Sequence, residues 1–200
     1  MSRPPRRQTL ELPPRAPLRG EAKLQAALDA FHVDIDGRVA LDVGAAAGGF
    51  TRVLLRGGAR RIYAVDAGHG QLLGSLRQDE RVVNLEATNI AALDRTVVGD
   101  VIDVVTIDVS YMALATAVAQ LDRIALAPDA DLIGLVKPMF ELRLASAPSE
   151  PAVVDAAAVR AVAGIESAGW SVVAQIHSPV RGSRGAPEVL LHARLAASEP

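Results

Sequence analysis

Cysteine is absent from all 200 residues, which excludes disulfides, thiolate metal centres and thiol catalysis. Aromatic residues make up only 3% of a chain that is 50% hydrophobic, so Ala, Val, Leu and Ile must fill the core. No apolar run approaches the roughly 20 residues that a membrane-spanning helix needs. The N-terminus carries arginines without an apolar core segment, so it does not read as a signal peptide, and the cytoplasm is the expected compartment. Lysine is nearly missing: Lys23 and Lys137 are the only two among 21 basic residues. There is no nucleophile elbow and no phosphate-binding lysine loop. His32, His69, His177 and His192 share no metal-ligand spacing and read as surface or structural groups. His69 and His177 fall in loops on the expected ligand side, which makes them minor candidates for substrate contact.

Charge is unevenly placed. Residues 1–20 hold five arginines against Glu11, while the whole chain carries −2. Residues 1–17 are proline-rich and aperiodic and read as a basic, disordered or extended arm, and residues 18–200 as one folded domain of ordinary size. Such an arm fits nucleic-acid contact and equally a solvated tail. An isoelectric point near 6.1 argues against strong non-specific RNA binding by the domain alone.

What the chain does have is a cradle. Ala40 to Thr51, ALDVGAAAGGFT, starts as a strand, turns through Gly44, Gly48 and Gly49, and re-enters an apolar-periodic segment at Phe50. Strand, glycine-rich turn and helix form a nucleotide-type cradle, in which glycines admit the ligand close to the backbone. The spacing is G-x-x-x-G-G, not the G-x-G-x-x-G of dinucleotide-binding folds. A second strand, 61–65, ends in Asp66, about 20 residues past the first glycine, where an acid typically grips ribose hydroxyls.

Hydrophobic periodicity predicts further elements. Helices are expected over 19–31, 50–56, 71–77, 112–125 and 152–168. Strands are expected over 39–43, 61–65, 82–85, 101–107, 132–136, 170–176 and 188–193. This alternation predicts an α/β fold, a doubly wound and mostly parallel sheet ending in an antiparallel C-terminal edge hairpin. Ligands bind at the carboxyl ends of such strands, where Asp66, Asn89, Asp108 and Lys137 stand. An antiparallel last strand would bring Glu188 to the same edge, and Lys23 can fold over it from its helix.

Taken in order, RGEAKLQAAL, ALDVGAAAGGFTRVLLRGGARRIYAVDAGHGQL, LRQDERVVNLEATNI, VTIDVS, LVKPMFE and SPVRGSRGAPEVLLHAR resemble the TlyA branch of the FtsJ-type RNA ribose 2′-O-methyltransferases. The resemblance runs from Leu18 to Arg194. It implies a seven-stranded Rossmann-like methyltransferase sheet and S-adenosylmethionine as cofactor. It also implies a catalytic Lys-Asp-Lys-Glu set at Lys23, Asp108, Lys137 and Glu188. Cofactor contacts are implied at Gly44, Ala46, Gly48, Gly49, Phe50, Asp66, Asn89 and Asp108. The implied partner is RNA, above all ribosomal RNA, with no membrane. Departures are visible. Glu21 stands where that branch usually has glycine, Ala46-Ala47 where Ser-Thr is common, His69 for tyrosine and Ala87 for arginine. The stretch 142–151 replaces a glycine-rich loop, and the chain is expected to lack the branch's small N-terminal RNA-binding module.

Methyl transfer to oxygen is an in-line displacement with a neutral leaving group, so positioning supplies much of the effect. At Lys137 two influences oppose each other: neighbouring carboxylates favour the ammonium form, whereas burial and a cationic cofactor favour the amine. Base and orienting group both remain open for it, with Lys23 as helper. Arg77, Arg143, Arg181 and Arg184 are candidates to hold phosphates, and Tyr111 to stack on a base. Three other readings stand beside this one: a small-molecule O-methyltransferase, a non-catalytic SAM- or RNA-binding protein, and a nicotinamide-dependent oxidoreductase, the last disfavoured by the glycine spacing.

Overall fold

The computed structural model describes residues 17–148, 150–182 and 185–196; the expected arm lies outside them except for Pro17, as does Arg184. The elements run α1 (Arg19–Phe31), β1 (Val39–Val43), α2 (Gly49–Arg56), β2 (Arg61–Val65), α3 (Gly74–Arg77), β3 (Val82–Leu85), β4 (Ile102–Ile107), α4 (Leu114–Val118), β5 (Leu126–Val136), α5 (Pro138–Glu141), α6 (Pro151–Ser167), β6 (Trp170–His177) and β7 (Val189–Leu195). They form one seven-stranded sheet in the order β3-β2-β1-β4-β5-β7-β6. The first five strands are parallel to one another, and β7 runs antiparallel to both β5 and β6. The C-terminal pair is the expected antiparallel edge hairpin, with its second strand inside: β7 inserts next to β5, and β6 becomes the outer strand.

Both faces of the sheet are covered. On one face Leu24 and Leu28 of α1 and Phe50 and Leu54 of α2 pack on Ala40, Ile62, Val104 and Ile133. On the other, α4 and α6 pack on Leu41, Val105 and Leu132 through Leu114, Val118, Ala157 and Ala161. Every residue of β1 is buried, as a central strand covered on both faces requires.

Four elements differ from the periodicity, the first being α3, which starts at Gly74, three residues later than expected. α4 covers only Leu114–Val118 before a 3-10 turn, Ala119–Leu121, tightens its end. β5 begins six residues earlier than expected, because the ladder jumps from an Ile102–Leu126 pair to a Val104–Asp131 pair. The bulge holds exposed Pro128 and Asp129, where proline costs no ladder donor. α5 is a four-residue helix that Pro138 starts at its first position.

One contact aims α1 at the strand ends. A Cβ on Gly49 would lie 3.0 Å from Gly20 Cα, so the first turns of α1 and α2 cross with almost no space between them. Glu21 fastens the crossing. Its carboxylate accepts the Leu18 N–H at 3.0 Å and pairs with Arg52 at 2.9 Å and Arg56 at 2.6 Å. Burial alone would raise its pKa, but those partners prevail and hold it at about 2.

Candidate active site

The crevice forms where β2, β1 and β4 end. The N–H groups of Gly44 and Ala45 donate to the Val65 carbonyl at 2.8 and 3.0 Å, and the Asp108 N–H donates to the Val43 carbonyl at 2.9 Å. Gly44 takes a φ of 86°, and a Cβ there would sit 2.6 Å from the Asp108 carbonyl oxygen. No larger residue fits. Ala46 also adopts the left-handed region, φ 45°, and is held there by Asp66. Asp66 Oδ2 accepts the Ala46 N–H at 2.8 Å, and its Oδ1 accepts the Gly68 N–H at 2.7 Å. Asp66 therefore closes the turn as well as facing the ligand space. The cavity between these groups measures about 260 Å³, with Gly44, Ala46, Asp66, Ile90, Asp108 and Tyr111 on its lining.

Not every expected cofactor residue faces that cavity. Gly48 is the helix N-cap, with a φ of 94°, and packs under Leu72 and Leu76. Gly49 and Phe50 lie against the start of α1. These three shape the turn from behind. Asn89 is exposed, and its side chain caps the 3-10 turn Ile90–Ala92 by accepting the Ala91 N–H at 2.9 Å; Ile90, not Asn89, reaches the cavity lining.

The four residues expected to do chemistry come together beside the crevice. Lys23 Nζ lies 2.6 Å from Glu188 Oε2 and 3.9 Å from Asp108 Oδ2. Lys137 Nζ lies 2.5 Å from Asp108 Oδ1 and donates to Ser110 Oγ at 2.8 Å. The result is a chain of alternating charge, Glu188, Lys23, Asp108, Lys137. Asp108 joins it to the crevice because the same residue ends β4. Lys137 ends β5 in extended geometry ahead of Pro138, which prevents the strand from running on. Glu188 precedes β7 and is nearly sealed: a Cβ on Gly182 would fall 2.1 Å from its Oε1, so the preceding loop lies directly on the carboxylate. Burial raises the Glu188 pKa, against the lowering influence of the Lys23 hydrogen bond and of the Lys23 and Lys137 charges. On the far side of Lys137 and Glu188 a second cavity, about 520 Å³, opens past Ser110, Phe140 and Pro187.

Two polar groups at this end escape a reading by spacing. Ser110 is one. The other is Asp42, fully buried in β1, whose Oδ2 and Oδ1 accept the hydroxyls of Thr51 at 2.7 Å and Thr106 at 2.9 Å. It ties the central strand to α2 and β4 directly beneath the turn. Burial raises its pKa to about 6, with the two threonines opposing. The only sequence signal was an acid inside an apolar strand.

Of the arginines named for phosphate contact, Arg77 is engaged with Glu86 at 3.2 Å, and Arg181 donates to the Gly185 carbonyl at 3.0 Å. Arg143 is exposed on a third cavity, also lined by Tyr111. His69 and His177 are exposed, and neither lines a cavity at the site. His192 lies in the core, where it meets Asp131 at 2.7 Å and stacks on Phe31. Among the described residues no cluster of His, Asp and Glu could hold a metal, and no helix is long and apolar enough to cross a membrane.

The residues present fit S-adenosylmethionine. Asp66 faces the ligand space with acceptor oxygens for a diol, Val43, Val65 and Ile90 offer apolar walls, and Asp108 on the same lining offers a carboxylate to a sulfonium. The comparisons agree. The 16S/23S rRNA (cytidine-2′-O)-methyltransferase TlyA of Mycobacterium tuberculosis is 42% identical over 181 residues, which are 88% of this chain and 67% of that protein. Hemolysin A of Brachyspira hyodysenteriae is 33% identical over 181 residues, 87% of this chain and 75% of that one. A crystal structure from Lactococcus lactis, labelled a hemolysin, superposes with a TM-score of 0.86 at 31% identity, covering 93% of this chain and 91% of its own. The family description "FtsJ-like methyltransferase" matches residues 17–195, and the chain belongs to this S-adenosylmethionine-dependent methyltransferase family.

Proposed function

We propose that the protein methylates a ribose 2′-hydroxyl of ribosomal RNA. The observation that carries this reading is the contact of Lys137 with Asp108 and Ser110 at the boundary between the glycine crevice and the cavity beyond Glu188. A hydroxyl entering from that cavity meets Lys137 before it meets the crevice. The name of the M. tuberculosis relative supports ribosomal RNA as the acceptor.

When bound, S-adenosylmethionine supplies a methyl group on a sulfonium that departs as a neutral thioether. The residues do the rest. As a neutral amine held by Asp108 Oδ1 and Ser110 Oγ, Lys137 Nζ would receive the proton of the attacking hydroxyl as its oxygen bonds to the methyl carbon. Lys23, held between Glu188 and Asp108, sets the register of the chain and fixes Asp108 from behind. Tyr111, half exposed between two cavities, can stack on the acceptor base. Asp66 and the backbone of the turn fix the donor so that the reacting atoms line up.

The test combines calorimetric titration with S-adenosylmethionine and methylation of small and large ribosomal subunits and of naked rRNA, read by mass spectrometry of the digested nucleosides. A 2′-O-methylnucleoside that depends on Lys137 is the expected result. Intact cofactor binding with no methylated RNA would instead favour a small-molecule acceptor.

A further inference from the structure

A cavity of about 780 Å³ lies next to the active site, between α4, α5 and α6. A Cβ on Gly164 of α6 would sit 2.4 Å from Ala115 Cβ of α4, so these two helices touch and close the floor. Met112, Met139 and Phe140 give the walls an apolar character. The cavity is continuous with the chemistry on two sides. Tyr111 is shared with the cofactor crevice, and Met139 and Phe140 with the cavity beyond Lys137.

Its charges are layered. Arg143 and Arg160 are exposed on the lining. Unlike Arg77 or Arg123, which pair with Glu86 and Asp94, neither has a carboxylate within ion-pair distance among the described residues. Arg143 is set in place by the turn that ends α5: its φ is 54°, and the Leu144 N–H donates to the Met139 carbonyl at 2.9 Å. The third charged group of the lining is Glu141, only 2% exposed. Its Oε1 accepts the Leu114 N–H at 2.5 Å, and its Oε2 makes no hydrogen bond among the described residues. Two exposed cations on the surface and one buried acceptor below, whose carboxyl already feels the charge of Arg160, with apolar walls between, match a nucleotide entering base first. The phosphates then stay at the arginines, and an exocyclic amine can donate to the carboxylate.

We infer that this cavity is the subsite for the nucleotide adjoining the acceptor nucleotide. Its base packs on Phe140 and Met112, its amino group donates to Glu141, and Arg143 and Arg160 hold the phosphates on either side. The inference rests on the reading that the active site acts on RNA. It explains how Lys137 is presented with one ribose: the neighbouring unit is seated first, and the strand is anchored on both sides of Tyr111.

The test is the double variant Arg143→Glu/Arg160→Glu, with Arg123→Glu as a charge control, assayed on naked rRNA and on ribosomal subunits. Cofactor affinity by calorimetry verifies that each variant is folded. The double variant is expected to raise KM for naked rRNA at least about tenfold with kcat nearly unchanged. It should also flatten the dependence of log affinity on log salt by about 1.5, two phosphate contacts at about 0.7–0.9 each. Once the methylated nucleotide is located, uridine at the adjoining position should raise KM for the wild type and not for Glu141→Gln. Wild-type KM and salt slope in the double variant overturn the proposal. So does a defect confined to intact subunits, which would make the groove a protein-docking surface. Failure of the wild type to methylate any RNA sinks the active-site reading and this inference together; wild-type methylation with an unimpaired double variant sinks this inference alone.

Discussion

Lys23, in the second turn of the first helix, and Glu188, at the start of the last strand, meet at 2.6 Å with their side chains 7% and 4% exposed. A buried ion pair of this kind is costly to break on one side, because the other charge stays behind without a partner. Lys23→Met and Glu188→Leu are each expected to destabilise by about 3–5 kcal/mol. The double substitution should recover most of that loss, since two apolar groups leave no orphaned charge. Activity should not recover with it. Urea unfolding beside a methylation assay separates these effects; recovery of both would reduce the pair to a structural strut.

Lys137 has a different neighbourhood. It touches Asp108 and Ser110 and borders the cavity proposed as the acceptor's entrance. Lys137→Ala is expected to lower kcat by about 10²–10⁴-fold, the usual worth of a positioned proton acceptor, while leaving cofactor affinity within a few-fold. If Nζ takes the proton, Lys137→Arg, which keeps the charge but cannot act as a base, is expected to lose as much as Lys137→Ala. Substantial activity in Lys137→Arg would assign Lys137 to orienting the hydroxyl instead.

Asp66 spends both carboxylate oxygens on backbone N–H groups, Ala46 and Gly68. Asp66→Ala therefore removes a ligand contact and also frees a left-handed alanine from its only side-chain tether. Calorimetry is expected to show cofactor binding lost, with a fall in melting temperature beside it. Asp66→Asn keeps one acceptor and should fall between the two. Unchanged affinity in Asp66→Ala would exclude this carboxylate from the cofactor site.

Much of this site is legible in the sequence because strand ends are marked by composition. The apolar runs before Asp66, Asp108 and Lys137 each stop at a polar group, and parallel strands bring such stops to one edge. The missed features depend on register or on partners remote in sequence. Asp42 reads as an oddity in an apolar run until pairing places Thr106 beside it and α2 lowers Thr51 onto it. The position of β7 is invisible to periodicity, since a strand next to β5 and a strand at the edge carry the same alternation. Helix α5 is too short for any period, and the bulge in β5 hides behind Pro128. Glu21 looks like a lost glycine in a familiar motif, yet the fold answers it with Arg52 and Arg56.

Asp42 supplies the last prediction, because its linkage to pH has a sign opposite to that of most carboxylates. Burial raises its pKa from 3.8 to about 6. The folded state therefore holds that proton more tightly than the unfolded chain does. Its contribution to stability is complete below pH ~4 and is lost as pH rises through ~6, at a cost of about 3 kcal/mol for a shift of roughly two units. Asp131 runs the other way. Burial would raise its pKa, but the hydrogen bonds of His192, Arg38 and Arg194 outweigh it and hold it at about 2. Its contribution is present above pH ~4 and fades as pH falls toward 2. Stability measured by urea should thus climb from pH 2 to pH 4 and decline between pH 4 and pH 6. Asp42→Asn should reduce the decline and keep the climb, the remainder belonging to Glu141 and Glu188, whose pKa values burial also raises, and Asp131→Asn should reduce the climb and keep the decline. A decline undiminished in Asp42→Asn would mean that Asp42 is not the group that titrates there.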